Sequence, residues 1–170
     1  LAEQREQLQQ LTGGVQTAKL MIDNLVKFAT FLSKQGELRL TSVKLGPLVE
    51  TALLPLRFQA ERKGLTLSVQ IEDDLATMRG DEELLTETLY HLIHNAIKFT
   101  PKQGRIILAA KLMEGNGALE VSVSDNGVGI AQEDLPKLFG KFQQVGERSS
   151  SETGGTGLGL AISKEIVELH

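Results

Sequence analysis

His91-Leu92-Ile93-His94-Asn95-Ala96-Ile97-Lys98-Phe99-Thr100 ends a helix that Asp81 caps and that runs to about Lys98. Leu89, Leu92, Ile93 and Ala96 recur at helical spacing and form its core face. Asn95 and Lys98 are three apart, so they share a different face. A neutral oxygen next to an ammonium suits a metal–phosphate group: Asn binds Mg²⁺ and Lys meets phosphate. Taken alone, an exposed Asn and Lys at a helix end are more often simply solvated.

Downstream, the turn Pro101-Lys102-Gln103-Gly104 leads into a strand over Arg105–Leu112. Asn116-Gly117 signals a hairpin, and Leu119, Val121 and Val123 form a returning strand that delivers Asp125. Residues 146–155 make a Gly- and Ser-rich loop. The last helix is expected to start near Thr156 or Gly157 and to persist at His170. Upstream, Pro47 sits in the first turn of a helix running to about Lys63, with Gly64 as its stop. Leu65, Leu67, Val69 and Ile71 alternate with polar residues, which predicts a strand with one buried face. Leu38-Arg39-Leu40 reads as a short strand.

The chain divides near Gly36. Before it, Leu8, Leu11, Val15, Ala18, Ile22, Leu25, Ala29 and Leu32 step by three and four, a heptad seam on one long helix. Gly13-Gly14 weakens its middle. The seam either packs on its own globular domain or joins a helical hairpin or dimer bundle.

Bulk properties exclude several classes. The chain has 170 residues, 41% hydrophobic and 24% charged, with a formal net charge of -4. That balance does not point to nucleic acid or an anionic membrane surface. Cysteine is absent, which rules out disulfides and Cys-ligated metals and fits a reducing compartment. No apolar run approaches the roughly 20 residues a membrane span needs. The Gln- and Glu-rich start is not a signal peptide. A cytoplasmic location is expected, with any membrane anchor outside this chain.

Three further motifs carry chemistry. In Ser124-Asp125-Asn126-Gly127-Val128-Gly129-Ile130, a carboxylate at a strand end suits an exocyclic amine such as that of adenine. The glycines let the backbone approach a flat ring; a plain Asx-capped turn fits the same residues. Leu138-Phe139-Gly140-Lys141-Phe142 suggests a hinge whose Phe side chains plug into the core while Lys141 swings to a phosphate. The alternative is an ordinary aromatic anchor. Gly154-Gly155-Thr156-Gly157-Leu158-Gly159-Leu160 opens a helix with free backbone N–H groups, where the dipole favours phosphate. No Gly-Lys-Ser/Thr follows, so it is not a P-loop, and no strand directly precedes it, so it is not a Rossmann fingerprint.

In this order the motifs resemble the N box, first glycine box, phenylalanine box and second glycine box of sensor histidine kinases. The likeness runs from about Leu38 to His170, and the helix before it looks like the second helix of the family's dimerisation hairpin. The resemblance implies an α/β (α+β) two-layer sandwich, with a mixed sheet, helices on one face, and ATP between the helices and a lid over 143–154. It divides the chain into a partial dimerisation helix, 1–35, and a catalytic domain, 36–170, whose last strands are not included. It assigns Mg²⁺ to Asn95, a phosphate to Lys98 and the adenine amine to Asp125. Gly127 and Gly129 would shape the adenine pocket, and Gly155, Gly157 and Gly159 the phosphate end. His91, Ile130, Phe142, Thr156 and Leu158 would also line the nucleotide, with catalytic work falling to Asn95, Lys98 and Lys141. The implied cofactors are ATP or ADP and Mg²⁺. The implied partners are a phosphoacceptor hairpin of the same or a sister subunit and a response-regulator receiver domain, within a homodimer.

The chain also departs from the family pattern. The family's acceptor motif (Ser-His-Glu followed by Arg and Pro) is absent, and His91, His94 and His170 lie in other contexts. His91 stands where the family usually has Asn, as a polar pocket wall or, less readily, a ligand. Two other readings remain open. Hydrolysing relatives of the superfamily carry a Glu one turn before the metal Asn, the place of His91 here. A non-catalytic nucleotide-binding or dimerisation module is the other.

Overall fold

The computed structural model describes residues 38–71, 77–113, 115, 117–141, 143 and 157–170, with three helical positions upstream, Val15, Ile22 and Val26. The rest of the heptad seam lies outside the described residues. At Val15 and Ile22, one heptad apart on that seam, the side chains are 69% and 61% exposed. The globular part therefore does not cover the seam at these two points.

The chain proceeds as β1 (Thr41–Val43), α1 (Leu45–Leu53), a 3-10 turn (Leu54–Leu56), α2 (Arg57–Arg62), β2 (Thr66–Ile71), β3 (Met78–Gly80), α3 (Glu82–Phe99), β4 (Arg105–Leu112), β5 (Leu119–Asp125), a second 3-10 segment (Gln132–Lys137) and α4 (Gly159–Leu169). The helix expected to run unbroken from Pro47 to Lys63 is thus three pieces. Pro55 falls inside it, and a proline has no N–H to give the preceding turn and clashes with it. The first strand lies at Thr41–Val43 rather than at Leu38–Leu40.

Two sheets form. β1 pairs antiparallel with β3, Thr41 opposite Gly80. β2 runs parallel to β4, Thr66 opposite Arg105, and β4 runs antiparallel to β5, Ile106 opposite Asp125. The mixed three-stranded sheet therefore has β4 at its centre. Alternation along β4 sends Ile106, Leu108 and Ala110 into the core, at 0%, 1% and 6% exposure. There they join Leu48, Val49 and Ala52 of α1 and Leu89, Ile93, Ala96 and Ile97 of α3. Helices on a sheet face bury one stripe each against it. Val69 departs from the expected buried face, being 43% exposed. It lies on β2, an edge strand, and alternation marks which residues share a face, not whether anything covers them.

α3 has well-defined ends. Asp81 Oδ1 accepts from the Leu84 N–H at 3.2 Å, and Glu82 and Glu83 occupy the first turn, where carboxylates oppose the helix dipole. Thr100 turns extended and Pro101 follows, which stops the helix. α2 ends in a Schellman motif: Leu65 N–H donates to Ala60 O at 3.0 Å, Gly64 N–H to Glu61 O at 2.8 Å, and Gly64 has φ +64°.

α4 packs on α3 through a small separate cluster of Leu158, Ile162 and Ile166 with Leu84. It begins at Gly159, later than expected, because Gly157 has φ +67°, outside the right-handed helical region. It ends at Leu169, with His170 as its cap. No helix among the described residues is long and apolar enough to cross a membrane.

Candidate functional site

The stripe His91, Asn95, Lys98 recurs along α3 at helical spacing. Its imidazole end meets the glycine-rich start of α4. A methyl group on Gly159 would lie 3.1 Å from His91 Nδ1, so glycine there lets the two helices touch. His91 Nε2 is 3.7 Å from Glu87 Oε1, too far for a hydrogen bond, and it is buried without one. His91 is thus wedged between Glu87 and the start of α4.

Asn95 is half-buried, one turn beyond His91. Lys98 is half-buried too, its ammonium 4.7 Å from the centre of the Phe99 ring. Burial pushes that ammonium below the usual lysine range. No carboxylate among the described residues pairs with it. His94 stacks on Tyr90, ring centres 5.7 Å apart and planes 13° from parallel. Burial first, then the charges of Lys98 and His91, holds its imidazole below the ordinary 6.5.

Asp125 ends β5 at the same end of the sheet as Thr66 and Arg105. Its Oδ1 accepts from the Gly127 N–H at 2.8 Å; Oδ2 makes no hydrogen bond among the described residues. Asn126 Oδ1 accepts from the Arg105 N–H at 2.7 Å. Gly127 runs against the end of α3: an added Cβ would meet Phe99 O at 2.7 Å and Asp125 Oδ1 at 2.6 Å. The turn that follows the β5 carboxylate is thereby seated on the end of α3, the helix that carries Lys98. Gly129 is left-handed, φ +69°, and Ile130 is 52% exposed beside it.

Other expected site residues are placed differently. Lys141 is 3.5 Å from Glu165 Oε1 on α4 rather than on the α3 stripe. Phe139 is not plugged into the core; it is 49% exposed, with the Lys164 ammonium 6.0 Å from its ring. Leu158 is 2% exposed, in the cluster between α4 and α3, so its side chain belongs to the core and not to a ligand surface. Phe142, Gly155 and Thr156 lie outside the described residues, as does the 143–154 segment except Gln143.

Sequence reasoning missed His170. Its Nε2 accepts from the Asp81 N–H at 2.9 Å and its Nδ1–H donates to Ile166 O at 2.8 Å. The end of α4 is thereby tied to the start of α3. No local pattern signals a contact between residues 81 and 170.

The arrangement suits an adenine nucleotide. Lys98 is a half-buried cation without a counter-charge among the described residues, Asp125 has an acceptor oxygen to spare, and Gly127 and Gly159 let their segments pack closely on α3. A stripe of this composition facing a glycine-opened helix, on a mixed α/β sandwich, defines an ATP-binding domain of the kinase and chaperone type. Residues 80–170 match the family described as histidine kinase-, DNA gyrase B-, and HSP90-like ATPase, and the chain belongs to it, in its histidine-kinase branch. The non-motile and phage-resistance protein of Caulobacter vibrioides is 34% identical over 152 residues, covering 88% of this chain and 18% of that protein. The circadian input-output histidine kinase CikA of Synechococcus elongatus is 33% identical over 170 residues, covering 98% and 22%. The crystal structure of full-length ShkA in complex with AMPPNP superposes with a TM-score of 0.79 at 28% identity, covering 99% of this chain and 34% of that one. The chain thus spans about a fifth of the curated relatives it matches.

Proposed function

We propose that this chain binds Mg-ATP and transfers the γ-phosphoryl group to a histidine on a dimerisation hairpin, for relay to a response-regulator aspartate. The observation that carries the reading is Lys98: a half-buried ammonium on α3, without a carboxylate partner among the described residues, on the helix whose end packs against the turn that follows Asp125. A buried cation without a counter-charge is costly, and a phosphate repays that cost.

Each residue then has a task. Asp125 Oδ2 accepts from the adenine amine while Oδ1 holds the turn through Gly127. Lys98 neutralises phosphate charge. The N–H groups at the start of α4 face the phosphates, where the helix dipole favours an anion. Asn95 is the residue that would hold Mg²⁺, which when bound neutralises charge on the phosphate oxygens. In the transfer, the acceptor's imidazole nitrogen forms a bond to the γ-phosphorus, the bridging P–O bond breaks, and ADP leaves. Both partners have to be held in line, with the reacting atoms about 3–3.5 Å apart.

The test supplies a separate hairpin carrying the acceptor histidine, with labelled ATP and a circular dichroism check that the chain is folded. Phosphohistidine should appear on the hairpin and none on this chain, and Asn95→Ala should abolish it. Rapid phosphate release without an acceptor would replace transfer by hydrolysis. Nucleotide binding with no transfer would leave a non-catalytic binding module. The position of His91 disfavours hydrolysis, because its two ring nitrogens face Glu87 and Gly159.

A further inference from the structure

An α-helix leaves its last four carbonyls without intrahelical partners. At the end of α3 their partners come from elsewhere. Lys63 Nζ donates to Ile97 O at 2.8 Å, to Lys98 O at 2.8 Å and to Thr100 O just beyond at 3.0 Å. An ammonium has three donors, and here each ends on a main-chain oxygen. A surface lysine normally keeps its head in water. Phe99 O, between these, accepts from the Val128 N–H at 3.4 Å.

Lys63 is itself held firmly. It caps α2, its N–H donates to Gln59 O at 3.3 Å, and its carbonyl accepts from the Gln103 N–H at 3.0 Å. Gly64 then turns the chain into β2. Its cation also lies at the negative end of the α3 dipole, where positive charge is favoured.

We infer that Lys63 is a positioning residue for nucleotide binding: by holding the carbonyls around Phe99, it keeps Lys98 and the turn at residues 125–128 in mutual register. The inference rests on the reading of this region as an ATP site. The coupling runs through one carbonyl. Phe99 O receives Val128 and is also the atom against which Gly127 closes, where an added Cβ would sit 2.7 Å away. If that oxygen moves, the Asp125 carboxylate moves with the turn, and Lys98, one residue before it, moves too.

Lys63→Met keeps the stem and removes the donors. Lys63→Gln keeps two neutral donors, and Lys63→Arg keeps the charge. Calorimetry with Mg-ADP, at a temperature where circular dichroism shows each variant folded, should find Lys63→Met weakened about tenfold, in line with the loss of a charge-assisted anchor. Lys63→Arg should fall between it and wild type, because a planar fork reproduces part of the donor set. Amide exchange at Val128 should speed up in Lys63→Met and stay near wild type in Lys63→Arg. If Lys63→Met does not fold, Lys63→Gln carries the comparison. A folded variant with a lower melting temperature, yet unchanged affinity and Val128 exchange, would reduce Lys63 to a plain helix cap and overturn the inference. If wild type binds no nucleotide while Val128 exchange still responds to Lys63, the ATP reading falls and the anchoring role stands.

Discussion

Gly127→Ala is the sharpest test of how closely the carboxylate turn sits against α3. The new Cβ would lie 2.6 Å from Asp125 Oδ1, 2.7 Å from Phe99 O and 3.0 Å from Phe99 C. Non-bonded carbon contacts settle near 3.5 Å, so the neighbours have to retreat by nearly an ångström. Phe99 O is helix backbone flanked by carbonyls bonded to Lys63, so the turn yields instead. Overpacking of this kind costs about 1–3 kcal/mol, or several degrees of melting temperature in a chain of this size. The bond from Gly127 N–H to Asp125 Oδ1 is lost, and the carboxylate no longer faces the adenine position. Losing a charge-assisted bond to the ligand costs about 1.5–3 kcal/mol, so the Kd for Mg-ADP should rise roughly 10- to 150-fold. Calorimetry and thermal melts measure both effects. Gly115→Ala is the control: it lies between the far ends of β4 and β5, has φ +97° and nothing within 4 Å of an added Cβ. It should lose stability through backbone strain, about 1–3 kcal/mol, and keep its affinity. Wild-type affinity in Gly127→Ala would refute both the close approach and the role of Asp125.

Gly46→Ala should stabilise the chain by about 0.5–1 kcal/mol, since Gly46 lies inside α1 with nothing within 4 Å of an added Cβ; a lower melting temperature would contradict this. Ile166→Ala should cost about 2–5 kcal/mol, because Ile166 is fully buried between α4 and α3. Hydrogen exchange should then rise in α4 more than in β4, and a uniform rise would mean that the small cluster is not a separate unit. His94 has a folded pKa held below 6.5 by burial, Lys98 and His91. The unfolded chain therefore binds more protons in the window below 6.5, so this contribution to stability is complete above 6.5 and is lost as pH falls through the folded value. His94→Gln should remove it, and the wild-type advantage in melting temperature should shrink from pH 7.5 to pH 5; an advantage independent of pH would sink the argument.

Much of the fold follows from signals only a few residues long. Asp81 and Pro101 bound α3, alternation and a glycine-containing turn set β4 and β5 in the expected places, and the order of the boxes identifies the family before any contact is known. Local chemistry dictates these features, because caps, turns and side-chain periods act on the residues beside them. The tertiary structure decided the rest. Pro55 was visible in the sequence, yet whether it kinks or breaks a helix depends on what the pieces pack against. β3 was not foreseen: three residues, Met78–Gly80, make a strand only because Thr41–Val43 lies alongside. Val69 is exposed because alternation carries no information about cover. Lys63 reads as one more lysine at a helix end, and His170 as a histidine in the wrong context. Each acquires its role from partners 34 to 37 and 89 residues away along the chain. The side chains named in the boxes were thus legible in the sequence, while the groups that hold them in place were not, since a hydrogen bond between distant residues exists only once the chain has closed that loop.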